Sequence, residues 1–247
     1  MNISHCPKKE MKMEVNKAVL DAGRTLQATI ISIYRHELVY PSDVANAADT
    51  IATACHGASR AAGWWNDLRT SEELINRPHI VGEKMMLIVS ELVEADEGRV
   101  GKLDDKLPHR LMTEVELADA VIRIGDLIGA LQFDFGQIMG DIVAFDTGVL
   151  TDIRRPSYSR SLSDYLMHIV GHVAKGMEGH RKSRHDTLFI HHAAVGVELA
   201  KAVLMCFDLA ERKNYDLASA IAEKMAFNAV RPDHKKDARL AKGGKAY

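Results

Sequence analysis

The chain is poor in the residues that mark several large classes of protein. Aromatic side chains make up 6% of its 247 residues, which disfavours a sheet-rich fold. Its three cysteines, Cys6, Cys55 and Cys206, are odd in number and far apart. That pattern gives neither a zinc spacing nor a disulfide framework, and a reducing cytoplasm is the simplest expectation. No run approaches the roughly 20 apolar residues of a membrane span, and the opening MNISHCPKKEMKMEV lacks the apolar stretch of a secretory signal. Charge of one sign is missing too. With 32 basic and 34 acidic side chains the formal charge is −2, so neither nucleic acid nor a membrane is an expected partner.

What is present favours helix. Apolar residues reach 47%, and Ala, Leu, Met and Glu are frequent. Helical patterns are expected over about 15–38, from a cap at Ser42 or Asp43 to Trp65, 80–99, 109–131, 135–145, 162–182, 187–213 and 216–229, with an irregular basic tail from Val230. No stretch alternates as a strand would, so the expected fold is an all-α helical bundle. A polar segment between Thr147 and Ser161 is the best internal boundary. The expected division is N-terminal helices over 1–62, a first unit over 63–150 and a second over 151–247.

Two neighbouring helical patterns carry the chemistry. Glu91 and Glu94 stand three apart on the first, Glu116 and Asp119 on the second, so each pair shares a helix face. Four carboxylates on two adjacent helices form a hard-cation site if those faces meet. A di-iron bundle needs Glu-x-x-His on two helices, whereas the third positions here are Glu94 and Asp119. Mg²⁺, with Mn²⁺ as substitute, is therefore favoured over iron.

The chain also resembles itself. IVSELVEADEGR from Ile88 aligns with IVGHVAKGMEGH from Ile169 at an offset of 81, and ELADAVIRIGDL from Glu116 aligns with ELAKAVLMCFDL from Glu198 at an offset of 82. Colinear matches at a near-constant offset point to a tandem duplication, a pseudo-dimer within one chain. At the acid positions the second copy has His172, Lys175 and Lys201 and keeps only Glu198, so it is expected to hold no metal. Its last helix instead carries Lys224, Asn228 and then Arg231, a phosphate-friendly set on nearly one face.

Glu91-x-x-Glu94, DDKLPHR and Glu116-x-x-Asp119, in that order, resemble the MazG-like all-α nucleoside triphosphate pyrophosphohydrolases. SELVEADEGR, EVELADAVIRIGDL and the closing EKMAFNAVRPDHKKDARLAKGGK look most like the phage and bacterial branch (MazZ-like) that acts on dATP and dGTP. The resemblance implies that Glu91, Glu94, Glu116 and Asp119 coordinate Mg²⁺ and are the catalytic set. It also implies cleavage of a nucleoside triphosphate to monophosphate and pyrophosphate, and a homo-oligomer, dimeric in the simplest case. Lys224, Asn228, Arg231 and Arg99 are the phosphate-binding candidates, and Trp64 and Trp65 the base-stacking ones. The alternatives are a dUTP or dCTP pyrophosphatase of the same superfamily, or a non-catalytic nucleotide-binding descendant.

Overall fold

The structure is a computed structural model that describes residues 7–145, 161–241 and 244. Among the described residues it is all-α, with three isolated bridges and no strand. Eight long helices form the bundle: α1 (Pro7–Arg35), α2 (Pro41–Ala61), α3 (Ile80–Glu97), α4 (Met112–Ala130), α5 (Phe135–Ala144), α6 (Leu162–Arg181), α7 (Ala194–Lys213) and α8 (Leu217–Asn228). A short α9 (Lys236–Leu240) follows a 3₁₀ turn at Pro232–His234, so the tail is more regular than its composition suggests. No helix of the described residues is long and apolar enough to cross a membrane.

Helix ends depart from expectation for local reasons. α1 stops at Arg35, where His36 turns to a left-handed φ of 55°. Pro41 does not end a helix but begins one, since its missing N–H and fixed φ suit the first turn; neither Ser42 nor Asp43 is the cap. α2 closes at Ala61, short of Trp65. The stretch from Thr187 remains a loop until Ala194. Asp134 and Asp216 cap α5 and α8 through their side chains, and Ser161 with Asp164 makes a capping box at α6. The rest of the polar segment 147–161 lies outside the described residues.

The packing has a two-fold pattern. α3 lies on α4 as α6 lies on α7, α2 covers α4 and α5 as α1 covers α7 and α8, and α4 touches α8 as α7 touches α5. α1 with α2, α3 with α6 and α4 with α7 meet at the centre, so exchanging the two sets of helices leaves the pattern unchanged. Loop detail follows the same rule. A bridge joins Leu103 to Leu111 and another joins His185 to Ala193. Asp104 accepts hydrogen bonds from the backbone N–H groups of Lys106 and Leu107, and Asp186 from those of Leu188 and Phe189. Arg110 is tied to Glu223 on α8, and His192 to Asp141 on α5.

One hydrophobic cluster of buried side chains runs through α1 to α8. Backbones approach closely where α3 gives way to α4: a Cβ at Gly98 would stand 2.6 Å from the Thr113 backbone nitrogen. At the matching place, a Cβ at Gly179 would stand 2.9 Å from the Ala194 Cβ. Only glycine admits these approaches.

Candidate metal centre

The inner stripe of α3 reads Lys84, Ile88, Glu91 and Ala95, at helical spacing and all buried. On α4, Glu116, Asp119 and Arg123 follow one another at helical spacing on one face, with Glu116 buried and Asp119 and Arg123 half-buried. The two helices run antiparallel. At one end the Thr113 hydroxyl donates to the Ala95 carbonyl at 2.8 Å, and further along Arg123 reaches Glu91. This register places Glu91 opposite Glu116 and Asp119.

One carboxylate oxygen each from Glu91, Glu116 and Asp119 lies within 4.8 Å of the others. A modest side-chain closure brings such a trio around one hard cation, whose oxygen ligands stand about 2.0–2.6 Å away. Two of the acids have charged neighbours: Arg123 Nε donates to Glu91 Oε1 at 2.5 Å, and Lys224 Nζ stands 2.6 Å from Asp119 Oδ2. Lys224 comes from α8, so both halves of the chain build the site. The remaining oxygen, Glu116 Oε2, is buried and has no hydrogen-bond partner among the described residues. An uncompensated carboxylate oxygen inside a protein is costly, and a cation removes that cost. The residues present fit an oxygen-seeking divalent ion.

The electrostatics agree. Burial, then the charge of Asp119, pushes the Glu116 carboxyl up to about 8, with Lys224 partly opposing. Burial and Glu91 also raise Asp119, against the pull of Lys224 and Arg123. Burial disfavours the Lys224 ammonium, but Asp119 and Glu116 outweigh it and hold its pKa above the ordinary value. Glu94, half-buried at the rim, is raised by burial and by the charge of Glu91.

Comparison with known proteins finds no matching family model, no matching curated protein and no matching solved structure. The functional reading therefore rests on this chain's own residues.

The other candidates have partners outside the acid cluster. Asn228 and Arg231 lie beyond Lys224 toward the tail, where Arg231 is engaged by Asp233 at 2.6 Å. Arg99 is half-exposed and paired with Asp96 at 2.8 Å. Trp64 carries the Arg239 guanidinium 3.7 Å above its ring and meets His234 edge-on. Trp65 is buried; its indole N–H donates to Asp126 at 2.6 Å, and Lys84 stands over its ring at 4.5 Å. Arg110 is a structural tie, forked onto Glu223 and bonded to Glu114.

Two basic residues on the inward sides of these helices were missed. Arg123 was legible, since it follows Asp119 by four residues and shares its face. Lys84 sits seven before Glu91 on the same stripe, but nothing in the sequence marks it as buried. At the matching positions of the second half, Glu198 is closed off: His172 Nδ1 and Lys201 Nζ each lie 2.7 Å from its oxygens. Those bonds outweigh burial and hold the Glu198 carboxyl below the usual range.

Proposed function

We propose that the chain is a Mg²⁺-dependent nucleoside triphosphate pyrophosphohydrolase of the MazG-like kind, built by tandem duplication, with one working site formed by both halves. The observation that carries this reading is a pair of buried groups of opposite polarity. Glu116 Oε2 has no donor, and the Lys224 ammonium, beside Asp119, finds no further partner among the described residues. A ligand that satisfies both must present a cation to the carboxylate and an anionic oxygen to the ammonium. A metal-bound phosphate does so.

Glu91, Glu116 and Asp119 would hold the ion, with Glu94 completing the set from the rim. Bound there, Mg²⁺ supplies Lewis acidity and lowers the pKa of a coordinated water. Lys224 orients a phosphate oxygen, and Glu94, half-buried at the solvent edge, is placed to take a proton from water. Attack at the α-phosphorus releases pyrophosphate and leaves the nucleoside monophosphate. The duplication is supported by the two-fold packing and the repeated loop bridges. The sequence resemblance puts dATP and dGTP first among substrates, with dUTP and dCTP next. A homodimer in the host or cellular cytoplasm is the matching expectation for assembly and place.

The test is a panel of dNTPs and NTPs with Mg²⁺, products separated by chromatography. Monophosphate and pyrophosphate should appear in equal amounts, and Glu116→Gln should lower the rate at least about 100-fold, the upper end of losses seen for outer-shell partners of metal ligands. Full activity in Glu116→Gln would defeat the reading. Nucleotide binding without turnover in saturating Mg²⁺ would leave a binding protein rather than an enzyme.

A further inference from the structure

Of the three acids that converge, two are already held by cations that belong to the chain. Arg123, 38% exposed, sits with both Nε and a terminal nitrogen on Glu91 Oε1. Lys224, fully buried, sits on Asp119 Oδ2. Glu116 keeps a buried oxygen, Oε2, with no partner among the described residues.

We infer that Arg123 and Lys224 are placeholder cations: a divalent ion displaces them from Glu91 and Asp119, and the freed guanidinium and ammonium then receive the anionic oxygens of a phosphate ligand. The inference rests on the metal-centre reading above and concerns how that centre is regulated. Its physical basis is charge competition. An ion entering among carboxylates that are already partly neutralised gains less Coulomb energy than the acid count suggests. Once displaced, the two cations need anions, because a guanidinium and an ammonium left unpaired near buried acids and apolar walls lose their stabilisation. A phosphate supplies them, so each ligand strengthens the binding of the other by the same factor. The two residues are not equivalent in this. Arg123 stands at the margin of α4 with solvent beside it and has room to swing, and its fork suits a phosphate. Lys224 is fully buried beside Asp119 and Glu116, so its shift is the shorter one.

Both residues are positioning residues in the metal step, and the test reads metal affinity rather than turnover. Mn²⁺ is titrated into the full chain, as wild type, Arg123→Gln, Lys224→Met and Glu116→Gln, by calorimetry. Arg123→Gln should bind Mn²⁺ about tenfold more tightly than wild type, the effect of removing one competing charge at short range. With Mn²⁺ saturating, the same variant should bind inorganic pyrophosphate about tenfold more weakly. A residue that merely braced the fold would not produce a gain in metal affinity when removed. Lys224→Met should show the same gain if it folds; the partly exposed Arg123 keeps the test decisive if it does not. Wild type binding Mn²⁺ while Arg123→Gln binds it equally or more weakly would overturn the inference and leave the metal centre standing. Absence of Mn²⁺ binding in every protein would remove the metal centre, and this inference with it.

Discussion

Single buried acids in this protein differ by the partners they are given. Asp126 and Asp208 occupy matching positions on α4 and α7. Asp126 accepts from Ser59, Trp65 and the His56 ring, all within 2.9 Å. Asp208 is fully buried and shared between Tyr34 and Arg212, and burial pushes it up to about 7 although Arg212 opposes the shift. A folded pKa above the ordinary 3.8 means that the native state keeps a proton the unfolded chain has lost. The stability linked to that proton is whole below the unfolded value and drains away as pH rises through about 7. Asp208→Asn keeps the neutral form at every pH. Its melting temperature relative to wild type should therefore climb from pH 5 to pH 8, by the equivalent of about 1–3 kcal/mol. A pH-independent difference in thermal melts would show that Asp208 does not titrate in this window. None of this was legible beforehand. Asp208 sits in an apolar run, CFDLA, and its partner Tyr34 lies 174 residues away on α1. The four acids on α3 and α4 could be read because helical spacing alone puts each pair on one face. The Lys224–Asp119 pair could not, because it is made between helices of different halves.

At the scale of elements, the long helices were legible because apolar spacing and caps agree, whereas their ends were set by contacts the pattern does not carry. Asp186 illustrates the limit. Its side chain takes the Leu188 and Phe189 N–H groups into a turn, so Thr187 to Ala193 stays a loop despite its apolar content. The tail shows the opposite error: charged and glycine-containing, it still folds because Arg239 is buried, donates to the Ala62 and Gly63 carbonyls and stacks on Trp64. Glycines make the element argument testable. Gly98→Ala drives a methyl against the Thr113 backbone and must push α4 off α3, at a cost of about 1–3 kcal/mol. Gly171→Ala, in α6 with nothing within 4 Å of the new Cβ, should instead stabilise by roughly 0.5–1 kcal/mol through helix propensity alone. Thermal melts of the two variants should move in opposite directions. A neutral Gly98→Ala would mean that the α3–α4 junction is looser than its close approach implies.

At the scale of the whole molecule, the two halves share their packing pattern but solve the same electrostatic problem in opposite ways. Glu116 and Glu198 stand at matching positions on α4 and α7. Glu198 is answered within its own half by His172 and Lys201, so its ionised form is the stable one. Glu116 faces Asp119 and Glu91, keeps a buried oxygen without a partner among the described residues, and has its carboxyl pushed up to about 8. The same substitution should therefore have opposite signs at the two sites when metal is chelated. Glu198→Gln breaks a half-buried charge network and should lose on the order of 2 kcal/mol. Glu116→Gln removes a repulsion, because its folded pKa is the raised one and the stability tied to its proton is lost between the ordinary carboxylate range and about 8. At pH 8 with chelator that variant should gain about 1–3 kcal/mol. Millimolar Mg²⁺ should then raise the melting temperature of wild type and of Glu198→Gln, since an ion that binds only the native state stabilises it, and should leave Glu116→Gln where it was. If both variants instead lose stability in chelator and neither loses its response to Mg²⁺, the acids of the first half serve the fold alone. The opposite signs together with the selective loss of the Mg²⁺ response would mean that the second half supplies structure and Lys224, while the first keeps the carboxylates that a cation needs.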